Sequence, residues 1–231
     1  MMRATIIALA CAAALNASPT SAIELRVEGE RLVVTGEIEA DDDFELLSAL
    51  VANRGQIRIV HFHDMPGGRT LASLRMGKII RARQLDTIAS SECISGCAWA
   101  FLGGVNRRFA WDEAGSLALL GFHGPHNPLD PTNDQAKVQA AIGDYIAEMI
   151  GQRFDRVLIE RTLRLRGDDV IAFADTTRRR GIANLAAAEC RLGAKTDQDL
   201  LDRCVPIVGM SAWQQGIVTN RDAYRVPARL P

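Results

Sequence analysis

Residues 90–104 read SSECISGCAWAFLGG, with Ser95 between Cys93 and Cys97 and an apolar run directly behind. A serine at the start of a helix has its hydroxyl at the positive helix end, beside N–H groups that lack an intrahelical partner. Upstream, Met65-Pro66-Gly67-Gly68 places two successive glycines after the β-rich stretch IRIVHF. Such a pair lets the backbone approach a ligand closely and turns N–H groups toward it. Downstream, SLALLGF delivers His123 in GFHGPHNP. A hydroxyl, an imidazole and paired N–H donors are the parts needed for acyl transfer: Ser95 as nucleophile, His123 as base, and Gly67 with Gly96 as the oxyanion hole. The acid that would orient the histidine is sought in LRLRGDDVIAFADTTRRRGIAN. Asp168 and Asp169 both remain open there. Asp169 is favoured as the residue nearer the following strand, and Asp175 is the weaker choice.

These residues need a scaffold that brings two loops to one edge. IELRVEGERLVVTGEI alternates around Gly29 and reads as a hairpin. DDDFELLSALVANRG reads as a helix opened by acids and closed by Gly55, and RTLASLRMGKIIRARQ as a second helix with Ala72, Met76, Ile79 and Ile80 on its apolar face. LDTIA is expected as a short strand, Ser90 and Ser91 as loop residues, and Ser95 as the start of the next helix. RRFAW and SLALLGF are further strands. Thr132 and Gln135 form a capping box ahead of a helix with Val138, Ile142, Tyr145, Ile146 and Met149 on one face. Alternation of this kind predicts an α/β layered fold with mostly parallel strands and helical crossovers, which bind ligands at the carboxyl ends of the strands.

The N-terminus carries Arg3, an apolar stretch from Ala4 to Leu15, and small residues up to Ala22. This reads as a secretory signal peptide (residues 1–22), and the stretch is too short to span a bilayer. About 209 residues follow it, enough for one α/β domain (23–185) and a C-terminal appendage (186–231). With 27 basic and 28 acidic residues and no basic block, neither nucleic acid nor an anionic membrane is indicated as a partner. Cys93, Cys97, Cys190 and Cys204 suit two disulfides in an exported, periplasmic or secreted chain. Three pairings exist, and the local one (Cys93 with Cys97, Cys190 with Cys204) is the simplest. Cysteine spacing does not suggest zinc, and no cofactor is expected.

The order of GEI, MPGG, LDTIASSECISGCAWAFLGG, GFHGP and GIAN resembles the Clp protease proteolytic subunit, and most closely its exported bacterial relatives with cysteines around the serine. The resemblance spans about 32–184. It implies a Clp/crotonase-like fold and a serine peptidase. Its nucleophile would be Ser95, its base His123 and its oxyanion hole Gly67 with Gly96. It also implies a peptide or unfolded protein as substrate, homo-oligomeric assembly, and no ATP-driven unfoldase outside the cytosol. Met65 stands where the family usually has serine, and Gly96 where it usually has a larger residue. Rival readings are an inactive binding module on this fold, an acyl-CoA enzyme of the crotonase type, a Ser–Lys peptidase drawing on Lys78, Lys137 or Lys195, and a metal site built from His61, His63, His123 and His126.

Overall fold

The computed structural model describes residues 22–111, 118–125, 135–166, 168–175, 186–191 and 202–227. The strands are β1 (Glu24–Glu28), β2 (Arg31–Thr35), β3 (Glu37–Ile38), β4 (Ile59–Met65), β5 (Gly67–Gly68), β6 (Asp86–Ile94), β7 (Arg107–Trp111), β8 (Leu119–Phe122), β9 (Asp169–Ala174), β10 (Ala188–Arg191), β11 (Cys204–Pro206) and β12 (Tyr224–Arg225). The helices are α1 (Asp42–Ala52), α2 (Thr70–Ala82), α3 (Gly96–Phe101), α4 (Gln135–Met149) and α5 (Arg156–Arg164). Signal-peptide residues 1–21, Thr132, His126, Lys195 and the GIAN stretch lie outside the described residues.

The main sheet runs β1-β2-β4-β6-β8-β9-β10-β11. The pairs β2–β4, β4–β6 and β6–β8 are parallel, and antiparallel strands flank them on both sides. β6 is forked: Thr87–Ala89 pair with β7, and Glu92–Ile94 pair with β8. All five helices bury residues in the same principal core, among them Leu46, Met76, Trp99, Tyr145 and Leu158, so they cover one face of the sheet. β10 and β11 continue this sheet, and β12 adds to β7. The C-terminal residues are thus woven into the domain.

β6 is longer than LDTIA alone predicts: it continues through Ser90 and Ser91 to Ile94. The physical reason lies on the face opposite α1–α5. Arg31 bonds Glu28 at 3.0 Å and the His61 Nδ1 at 3.4 Å. An acceptor at Nδ1 puts the His61 proton on Nε2, which donates to Ser90 Oγ at 2.7 Å. The Ser90 hydroxyl then donates to His63 Nδ1 at 2.9 Å. A fully buried serine is thereby satisfied on a strand. The rings of His61 and His63 are committed to this chain, and among the described residues no group of three or more His, Cys, Asp or Glu is placed to hold a metal.

Burial, with the Arg31 charge beside it, lowers the His61 pKa to about 3. The unfolded chain binds a proton near pH 6.5 that the folded chain refuses. The stabilisation from neutral His61 is therefore complete above pH 6.5 and is lost as the pH falls from 6.5 toward 3, by about 1.4 kcal/mol per pH unit. Denaturant titrations between pH 7 and 4 should show a shallower decline for His61→Gln than for the wild type. Parallel curves would contradict this assignment.

Candidate active site

β6 ends at Ile94 and α3 begins at Gly96, so a single residue turns the strand into the helix. That residue, Ser95, has φ 55° and ψ −120°. A non-glycine residue in such a conformation stores local strain and is held there by its surroundings. Its N–H donates to the Gly121 carbonyl at 2.7 Å, and its carbonyl accepts from Trp99 N at 3.1 Å. A sharp turn between strand and helix is the arrangement that exposes a nucleophilic serine in hydrolases with a nucleophile elbow. The Cys93–Cys97 disulfide spans the turn with Cα atoms 5.2 Å apart, and both cysteines are buried.

The glycine loop lies against this turn. β5 pairs with β3, which fixes Gly67 and Gly68 at φ +113° and +129°. A Cβ on Gly67 would come within 2.6 Å of the Ile94 carbonyl and 2.7 Å of Ser95 Cβ. A Cβ on Gly68 would meet the Ile38 carbonyl at 2.1 Å. Glycine is required at both positions by conformation and by space. Gly96 is equally constrained, since a Cβ there would meet Ser73 Oγ at 2.3 Å and the Gly68 carbonyl at 3.2 Å. Ser73 and the Gly68 backbone fill the space that a larger residue after the serine would need. Met65, the residue ahead of Pro-Gly-Gly, is fully buried in the principal core.

His123 follows β8, the strand beside β6, where Gly121 is the register partner of Ile94. Ser95 and His123 therefore leave adjacent parallel strands at the same edge. The His123 Nδ1–H donates to the Gly124 carbonyl at 2.7 Å, which places the proton on Nδ1 and the lone pair on Nε2. This is the tautomer a general base needs.

The aspartates are placed differently. Asp168 is exposed in the turn before β9. Asp169 Oδ1 accepts from Arg191 Nε at 3.3 Å. Alternation along β9 puts Asp169 on the face of Ile171 and Phe173, which belong to the helix-covered core. Asp175 is buried at the far end of β9, where its N–H bonds Ala118 and its carboxylate accepts from Trp111 Nε1. The Gly124 carbonyl, which residue type alone does not signal, accepts from Nδ1. Among the lysines, Lys78 pairs with Glu148 at 3.3 Å on the helix layer, and Lys137 is exposed on α4.

No family model matches the sequence, and no curated protein matches it. Among solved structures the chain is similar to ClpP1 from Listeria monocytogenes, at a TM-score of 0.52 and 13% identity over 87% of this chain and 92% of that one. The likeness is one of fold alone, and it supports a Clp-like α/β fold with a mostly parallel central sheet.

Closing a loop this short accounts for about 2 kcal/mol of global stability. Its effect on the site should be larger than on the fold. Replacing Cys93 and Cys97 together by alanine should lower the labelling rate of Ser95 by a fluorophosphonate at least tenfold at temperatures where circular dichroism still reports a folded chain. Labelling at the wild-type rate would show that the bridge does not hold the turn.

Proposed function

We propose that this protein is an exported serine hydrolase acting on peptides, with Ser95 as nucleophile and His123 as base. The observation that carries the reading is Ser95 itself: a strained residue on a one-residue strand-to-helix turn, with the Gly67 backbone packed on its Cβ. In this reading Ser95 Oγ attacks the carbonyl carbon while His123 Nε2 takes the hydroxyl proton. The carbonyl oxygen becomes an oxyanion held by the N–H groups of Gly67 and Gly96. Collapse expels the amine, which leaves with the proton from His123, and water hydrolyses the resulting Ser95 ester by the same base.

Asp168 and Asp169 were the expected acids of this site. The Arg191 partner of Asp169 does not favour it, and the exposed turn does not favour Asp168. The Gly124 carbonyl, which accepts from His123 Nδ1, is a further candidate for orienting the ring. Peptide substrates and assembly into a homo-oligomer come to this chain only through the fold likeness. Export is supported by the two disulfides, Cys93–Cys97 and Cys190–Cys204, which persist in oxidising compartments. Among the described residues no helix is long and apolar enough to cross a membrane.

The test is reaction with a fluorophosphonate probe and with activated peptide esters. Ser95→Ala should abolish labelling, and His123→Gln should slow it by about 10³-fold or more. Asp168→Asn and Asp169→Asn should each stay within a few-fold of wild type. A large loss in either one would restore it as the acid. A wild type inert to the probe would favour the inactive binding module.

A further inference from the structure

We propose that Arg107 is a positioning residue for Ser95, and that through it the C-terminal segment 211–219 is a working part of the hydrolytic site. This rests on the reading of Ser95 as nucleophile. α3, which carries Ser95 at its entrance, is six residues long and has no side-chain cap at its start. So short a helix does not hold its own position. Its far end is fastened by side chains from other elements. Tyr145 donates to the Trp99 carbonyl at 2.9 Å, and Thr87 to that of Phe101 at 2.8 Å. Arg81 reaches the carbonyls of Leu102, Gly103 and Gly104.

Arg81 also ties that end to the Met149 carbonyl of α4 at 3.3 Å, and Arg107 carries the link furthest along the chain. Its Nη1 donates to the Gly104 carbonyl at 2.7 Å and to that of Leu102 at 3.4 Å. Its Nε donates to Ile217 at 2.8 Å and its Nη2 to Gly216 at 2.7 Å. The main chain repeats the link, since Arg107 N donates to Thr219 Oγ1 and Thr219 N to the Arg107 carbonyl, at 2.8 and 2.9 Å. The segment so held packs Ala212, Ile217 and Val218 into the principal core that contains α3.

The side chain is almost completely buried. Burial, with Arg81 as its cationic neighbour, lowers its pKa to about 10, so it remains charged at neutral pH. A buried cation is costly, and here main-chain carbonyls satisfy it. The planar fork of guanidinium serves carbonyls on two sides at once, which the single ammonium of lysine does not.

The test compares wild type, Arg107→Lys and Arg107→Gln in the full chain, with peptide-ester kinetics and amide hydrogen exchange. Arg107→Gln should lower kcat by about tenfold or more while KM stays within twofold. Exchange should accelerate at residues 97–104 and 216–219, with no change in the β1–β2 hairpin. Arg107→Lys should recover part of kcat. A wild-type kcat in Arg107→Gln, or equal loss in both variants with exchange raised throughout the chain, would overturn the proposal. Should Arg107→Gln fail to fold, Thr219→Val removes one tie and leaves the charge. A kcat lowered about threefold at constant KM supports the proposal, and an unchanged kcat overturns it. An inert wild type overturns the hydrolase reading instead, and the exchange arm still decides whether Arg107 couples the two segments.

Discussion

Gly67 and Ser95 meet backbone to side chain at a distance that leaves no room for a Cβ on the first residue. Much of the molecule bears on that approach. β3 holds β5 so that Gly67 and Gly68 keep their left-handed conformation, and β6 extends to Ile94 so that Ser95 arrives opposite them. Gly96 is kept small by Ser73 and by the Gly68 backbone. The Cys93–Cys97 disulfide spans the same turn, from the end of β6 to the second residue of α3. Strain at one residue is maintained by contacts on every side of it, the pattern expected where backbone geometry serves chemistry.

On the other face of the sheet, β6 is held by a different device. The chain from Glu28 through Arg31, His61 and Ser90 to His63 crosses three parallel strands just upstream of both loops. Beyond it the β4–β6 register shifts, and Asp64 and Ser91 take positive φ, with the Ser91 hydroxyl 3.4 Å from Asp64. The two strands are regular up to the histidines and irregular between them and the site. This is how two neighbouring parallel strands deliver loops of different shape to one edge.

The hairpin and the first two helices were legible from periodicity, and the strand ahead of Met65 from its β-rich composition, since it is buried on both faces over Ile59–Phe62. The local cysteine pairing was legible from spacing. Ser90 was not: a serine between a strand and a cysteine reads as a loop until two imidazoles on the neighbouring strand are known to satisfy it. The surroundings of Asp169 were not legible either: residue type makes it an acid, and only the β9–β10 register brings Arg191 opposite it. The place of the C-terminal residues depends on pairings of β10 with β9 and of β12 with β7, and on Arg107, which bonds carbonyls more than a hundred positions away. Contacts of that range leave no periodic trace in the sequence.

The central claim is that Ser95 is presented to a carbonyl whose oxygen would rest on the N–H groups of Gly67 and Gly96. The most direct measurement is a crystal structure of the chain after reaction with diisopropyl fluorophosphate. The account predicts a phosphorus bonded to Ser95 Oγ, with one phosphoryl oxygen about 2.7–3.1 Å from both amide nitrogens and His123 Nε2 on the other side. An adduct whose phosphoryl oxygen turns away from the glycine loop, or modification of a different serine, would contradict it.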